Sequence, residues 1–125
     1  MWEGNERLIK RDLNSPVYEE LKRIARRQET TTYSAIAPLA DLDMDNPAHR
    51  NQMRELLGKI STYEHQQGRP LLTAIVVYRQ ENHPGPGFFD LARHLRLLRS
   101  GQDEVAFFCH EVARVHHEWR RDSAS

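Results

Sequence analysis

The chain has a single cysteine among its 125 residues, Cys109, so no disulfide can close within it and a reducing compartment is expected. No stretch approaches the ~20 consecutive apolar residues of a membrane-spanning helix, so no membrane partner is expected. An excess of charge is also missing: 18 Lys and Arg balance 18 Asp and Glu. That balance excludes a protein that coats nucleic acid through bulk positive charge. Residues Met1 to Arg7 contain no apolar stretch like a secretory signal, and a cytoplasmic location is expected.

Motifs of catalysis and of metal binding are missing too. Gly85-x-Gly87 lacks the lysine of a phosphate-binding loop, and no Gly-x-Ser-x-Gly elbow occurs. Asp41-x-Asp43-x-Asp45 begins like a calcium loop, but its sixth position is Asn46, its seventh Pro47 and its twelfth Gln52. Cys109, His110, His116 and His117 lack the i, i+4 spacing that puts ligands on one helical face, so Cys109 is expected in the core with histidines at the surface. No catalytic residue, metal or cofactor is therefore expected. An enzyme using His83 or His110 ranks below the binding roles.

What is present reads mainly as helix. Ser15-Pro16 is a cap followed by a proline that needs no N–H, and Val17, Leu21, Ile24 and Ala25 follow as a stripe ending near Gln28. Thr30 to Tyr33 favours an edge strand, and Ser34 to Ala37 a short helix that Pro38 stops or kinks. Asn46-Pro47 starts a helix to about residue 66, with Met53, Leu56, Leu57 and Ile60 buried and Gly68 beyond its end. Gly58 inside this helix is expected to mark close helix packing. Leu71 to Tyr78 predicts a central strand covered on both faces. Phe88-Phe89 either finishes a return strand or opens a helix. Val105, Phe108, Val112, Val115 and Trp119 form the seam of a last helix over about 102–121.

This order is the outline of a winged helix-turn-helix: an α+β, mostly helical single domain with a β-hairpin wing over 71–89 and a C-terminal packing helix. The domain is expected over 15–121, between a flexible segment 1–14 and a tail 122–125. Within it, Thr31-Thr32-Tyr33-Ser34-Ala35-Ile36-Ala37 resembles the opening of the DNA-binding half of alkyltransferase-like proteins and O6-alkylguanine-DNA alkyltransferases. The resemblance covers roughly residues 30–77. It implies a winged-helix fold that flips a base from duplex DNA, with Tyr33 at the phosphate and Arg50 or Arg54 filling the vacated space. The family's reactive motif is missing, since Pro70 is followed by Leu71-Leu72-Thr73 and not by Cys, His or Arg. Alkyl transfer is not expected.

Net charge, zero overall, divides into +1 over residues 1–30, −2 over 31–50, +3 over 51–100 and −2 over 101–125. The basic middle suits a local anion-binding face. Arg50, Asn51 and Arg54 are expected to read base edges from the helix beginning at Pro47, with Tyr33, Lys59 and Arg79 at the backbone. The first functional expectation is thus non-catalytic binding of duplex DNA. The alternative is an adaptor or inhibitor that binds a protein partner, including a homodimer formed through the last helix.

Overall fold

The computed structural model describes residues 7–124, and side chains as far as Arg120. Its elements are α1 (Ser15–Arg26), β1 (Thr31–Thr32), α2 (Tyr33–Ile36), α3 (Pro47–Gln66), β2 (Val76–Val77), α4 (Pro86–His94) and α5 (Glu104–Ala124), with 3-10 turns at Lys10–Asp12, Ala37–Ala40 and Leu72–Ile75. The chain is mostly helical with a small sheet, an α+β composition.

Local chemistry sets the helix ends. Asn14, one residue before the expected cap, accepts from Val17 N–H at 3.1 Å, and Pro16 then sits in the first turn of α1. Asn46 caps α3 by accepting from Ala48 N–H at 2.9 Å. Asp103 caps α5, accepting from Val105 N–H at 2.9 Å and Ala106 N–H at 3.3 Å. At the end of α3, Gly68 takes φ +79°, Gly68 N–H donates to His65 O and Arg69 N–H to Glu64 O. This paired pattern satisfies carbonyls that the last turn leaves open. Gln28 closes α1 and Arg96 closes α4 in the same left-handed conformation, so the stop does not require glycine.

The segment 71–78 departs from the expected strand. Leu71 to Val77 is buried throughout, as its apolar content demands. Leu72–Ile75 nevertheless winds into a 3-10 turn, and only Val76–Val77 is extended. Those two residues pair in parallel with Thr31–Thr32, Val76 opposite Thr31 and Val77 opposite Thr32. A short apolar run is compatible with a strand or a buried helical turn, and hydrogen bonds from neighbours decide here. Glu111 Oε2 accepts from Leu71 N–H at 2.7 Å, and Ser61 Oγ accepts from Thr73 N–H at 3.2 Å. The β-hairpin wing over 71–89 does not form. After β2, Tyr78 N–H donates to His83 O and Asn82 N–H to Tyr78 O, which turns the chain, and Phe88 and Phe89 lie inside α4.

The 3-10 turn at 72–75 is the centre of the core. α1 contributes Val17, Leu21, Ile24 and Ala25, α3 Met53, Leu57 and Ile60, and α5 Val115 and Trp119. The seam of α5 is graded: Val115 and Trp119 are buried, Phe108 and Val112 half-buried, and Val105 is 66% exposed. Residues 1–6 lie outside the described residues. From Leu8 the chain already packs on the domain: Leu8 and Leu13 are buried, and Leu8 N–H donates to Gln66 Oε1 at 2.8 Å. At the other end, 122–124 continue α5, and residue 125 lies outside the described residues.

A buried ionic cluster ties α1, α3 and the chain after α3 together. Glu64 is fully buried, and its carboxylate accepts from Tyr18 Oη at 2.7 Å and from Arg69 Nε and Nη2, each at 2.9 Å. The Arg69 guanidinium lies 5.8 Å from the Tyr63 ring centre and 5.7 Å from that of Trp119. Its bond to Glu64 holds Arg69 more firmly protonated. Burial, then the bond to Glu64, pushes the Tyr18 hydroxyl well above its ordinary value of 10.0. The fork of Arg69 on Glu64 is the geometry that makes a buried pair tolerable.

Candidate functional site

A cleft of about 330 Å³ opens where α2, α3 and the start of α4 meet. Its volume lies at the lower end of the ~300–1,000 Å³ typical of small-molecule sites. Met53, Leu57, Phe88 and Leu91 supply apolar surface, and Tyr33 and Tyr78 supply rings. Arg50 and Arg54 bring positive charge, and Ser34 and Asp45 further polar groups.

Each of these side chains has a local reason for its place. Thr32 is the last residue of β1 and also caps α2, accepting from Ala35 N–H at 3.1 Å. That double role starts α2 at Tyr33. Tyr33 Oη accepts from Gly85 N–H at 2.7 Å, and its ring lies 5.2 Å from that of Tyr78, tilted by 47°. Burial pushes the Tyr33 hydroxyl up from its ordinary value, so it remains a proton donor. Gly85 is dictated by close approach: a Cβ there would stand 2.7 Å from Tyr78 Oη. Gly87 comes close to the Arg54 side chain of α3, with its Cβ position 3.0 Å from Arg54 Cγ. The Gly85–Phe88 segment therefore lies against Arg54.

Arg50 is held at the N-terminal end of α3, with Nε donating to Met44 O at 2.6 Å and Nη2 to Asp45 O at 3.4 Å. Arg54 Nη1 donates to Asn51 Oδ1 at 3.2 Å. Among the described residues neither guanidinium has a carboxylate within ion-pair distance, so both keep their charge for a ligand. The acidic turn 41–45 is explained by its own bonds. Asp43 Oδ1 accepts from Asp45 N–H at 3.0 Å, and Asp43 N–H donates to His49 Nδ1 at 2.9 Å.

Of the residues singled out in the sequence, Tyr33, Arg50 and Arg54 line this one cleft. Asn51 is exposed beside it and serves Arg54. Lys59 is exposed elsewhere on α3: nine residues beyond Arg50, at ~100° per residue, it falls on the opposite side of the helix. Arg79 is exposed in the turn after β2 and does not line the cleft. Sequence reasoning missed Tyr78, Gly85 and the meaning of Gly58. A Cβ on Gly58 would meet nothing within 4 Å, so this glycine serves no close helix contact, and it lines the cleft.

α5 holds other departures. Cys109 is exposed, not in the core. Glu111 is buried, and its carboxylate accepts from Leu71 N–H and from Arg114 Nη1, the latter at 2.8 Å. His116 Nε2 lies 3.0 Å from Glu29 O, and Gln28 Nε2 donates to His116 O, so this histidine helps fasten α5 to the end of α1. Among the described residues no group of three or more His, Cys, Asp or Glu could hold a metal ion, and no helix is long and apolar enough to cross a membrane.

Compared with protein-family models, with curated proteins and with solved structures, the chain gives no match.

Proposed function

We propose that the protein is a non-catalytic nucleic-acid-binding domain whose contact surface is centred on Tyr33, Arg50 and Arg54. The observation that supports this reading is the meeting of two guanidiniums that lack carboxylate partners with two tyrosine rings at one cleft. Arginine suits phosphate through its fork of donors and suits bases through its flat face. Asn51 lies beside Arg54, and Lys59 and Arg79 add positive charge that a longer strand would cross. α2, its 3-10 extension and α3 follow one another in the order of a helix-turn-helix, a frame that suits contact of the α3 arginines with a DNA backbone. Overall neutrality keeps the binding local and moderate.

Fluorescence anisotropy with labelled DNA, titrated with salt, tests the proposal. Binding should weaken linearly in log salt, and Arg50→Ala and Arg54→Ala should each reduce that slope by about 1. Absence of binding to single-stranded and to duplex DNA at low salt, with micromolar protein, would overturn it.

A second reading is a protein-interaction module, with α5 as the contact element. Val105 is 66% exposed, and Ala106, Cys109 and Ala113 are exposed along the same helix. A homodimer through α5 is its simplest form. Sedimentation that stays monomeric at all concentrations would remove that form.

A further inference from the structure

We infer that the cleft seats a single unpaired base of a nucleic-acid strand, so that the protein prefers single-stranded to duplex DNA; this rests on the proposed nucleic-acid reading and specifies its ligand. Three observations carry it. The first is concavity. A helix reads a duplex by protruding into the major groove, which is ~12 Å wide. Here the face of α3 around Arg54 is flanked by the Gly85–Phe88 segment, with the Gly87 Cβ position 3.0 Å from Arg54 Cγ. A duplex would meet the exposed arginines but could not bring a paired base edge into the recess.

The second is the lining. Tyr33 and Tyr78 offer tilted rings 5.2 Å apart, and Met53, Leu57 and Phe88 offer apolar surface. Stacking on such rings is how single strands are held with little regard to sequence. Tyr78 is 41% exposed, so one of the rings is open to solvent. The hydrogen-bonding groups are mainly donors, the two guanidiniums and the protonated Tyr33 hydroxyl, and they complement phosphate oxygens and base carbonyls. Asp45 and Ser34 are the acceptors available to an exocyclic amine.

The third is Gly58. A glycine inside a helix is unfavourable against alanine, and this one relieves no clash, because a Cβ would meet nothing within 4 Å. What its missing side chain provides is room in the cleft. An unpaired base uses that room, whereas phosphate contact at Arg50 and Arg54 does not.

The test uses the full chain and two fluorescein-labelled DNAs of one sequence, single-stranded and duplex, with Gly58→Leu and Tyr78→Ala as variants. Circular dichroism confirms that both variants are folded; leucine is a better helix former than glycine, and Tyr78 is exposed enough to be lost. The expected result is a single-strand preference of about tenfold, which Gly58→Leu and Tyr78→Ala each remove by weakening single-strand binding. Equal affinity for the two DNAs, unchanged in both variants, would overturn the cleft-bound base and leave phosphate binding by the arginines standing. No binding to either DNA would overturn the nucleic-acid reading itself.

Discussion

Replacing Gly58 by alanine should make the protein more stable. Gly58 lies inside the 20-residue helix α3, eight residues before its end at Gln66. In a helix interior alanine is favoured over glycine by about 0.8–1.0 kcal/mol, because glycine loses more backbone freedom on folding. The gain is realised only if the added methyl group fits, and its position has no neighbour within 4 Å. No packing penalty offsets the propensity term, so the expected net effect is about +1 kcal/mol. For a chain of this size that raises the melting temperature by about 4 °C. Thermal melts followed by circular dichroism give the shift, and urea unfolding should show a higher midpoint with an unchanged slope. A neutral or destabilising result would refute the reasoning, since it would mean that α3 is packed at Gly58 more tightly than its open surroundings allow. A stability gain accompanied by weaker oligonucleotide binding would show that the glycine serves the cleft at the expense of the fold.

Glu64→Gln keeps the size of the side chain but removes the charge that binds Arg69 twice and Tyr18 once. Breaking a buried pair costs about 3–5 kcal/mol. The Arg69 side chain is 28% exposed and recovers some hydration, so a loss near about 3 kcal/mol is expected in urea unfolding; a loss below about 1 kcal/mol would contradict the role given to this cluster. Gly85→Ala should leave the fold intact while displacing Tyr78, whose hydroxyl would stand 2.7 Å from the new methyl; changed Tyr78 ring resonances in NMR, without loss of helical circular dichroism, would check this. Because the Tyr18 hydroxyl is pushed up in the folded protein, the neutral form is favoured there. Its contribution is complete below the unfolded value of 10.0 and is lost as pH rises above it. Denaturation between pH 9 and 11 should show a falling stability whose slope is reduced in Tyr18→Phe; parallel slopes would contradict it.

The helices were legible in the sequence because their signals are local. Asn46-Pro47 and Gly68 bracket α3 through capping chemistry, and the α1 stripe needs only the helical period. Residues 71–78 were not legible in the same way. Their burial follows from composition, but the 3-10 turn is imposed by Ser61 and Glu111, which lie 12 and 40 residues from their backbone partners. The wing was lost with that strand, and Phe88-Phe89 went to a helix begun by Gly85-Pro86. At the site, Arg50 and Arg54 were accessible as basic residues on a predicted helix, and Tyr33 through the resemblance of Thr31 to Ala37, although the sequence placed it in an edge strand and it opens α2. Lys59 was grouped with them by polarity alone, and counting nine residues around the helix would have separated it. Tyr78 and Gly85 could not be found, because they approach Tyr33 only through contacts 45 and 52 residues apart along the chain.

The most direct test of the account is an NMR titration of the ¹⁵N-labelled protein with a short single-stranded DNA. The account predicts that the largest amide shifts fall at Tyr33, Arg50, Arg54, Gly58, Tyr78 and Gly85 to Phe88, with α5 little changed. Shifts concentrated on α5 around Val105 to Ala113, or none anywhere at low salt, would contradict it.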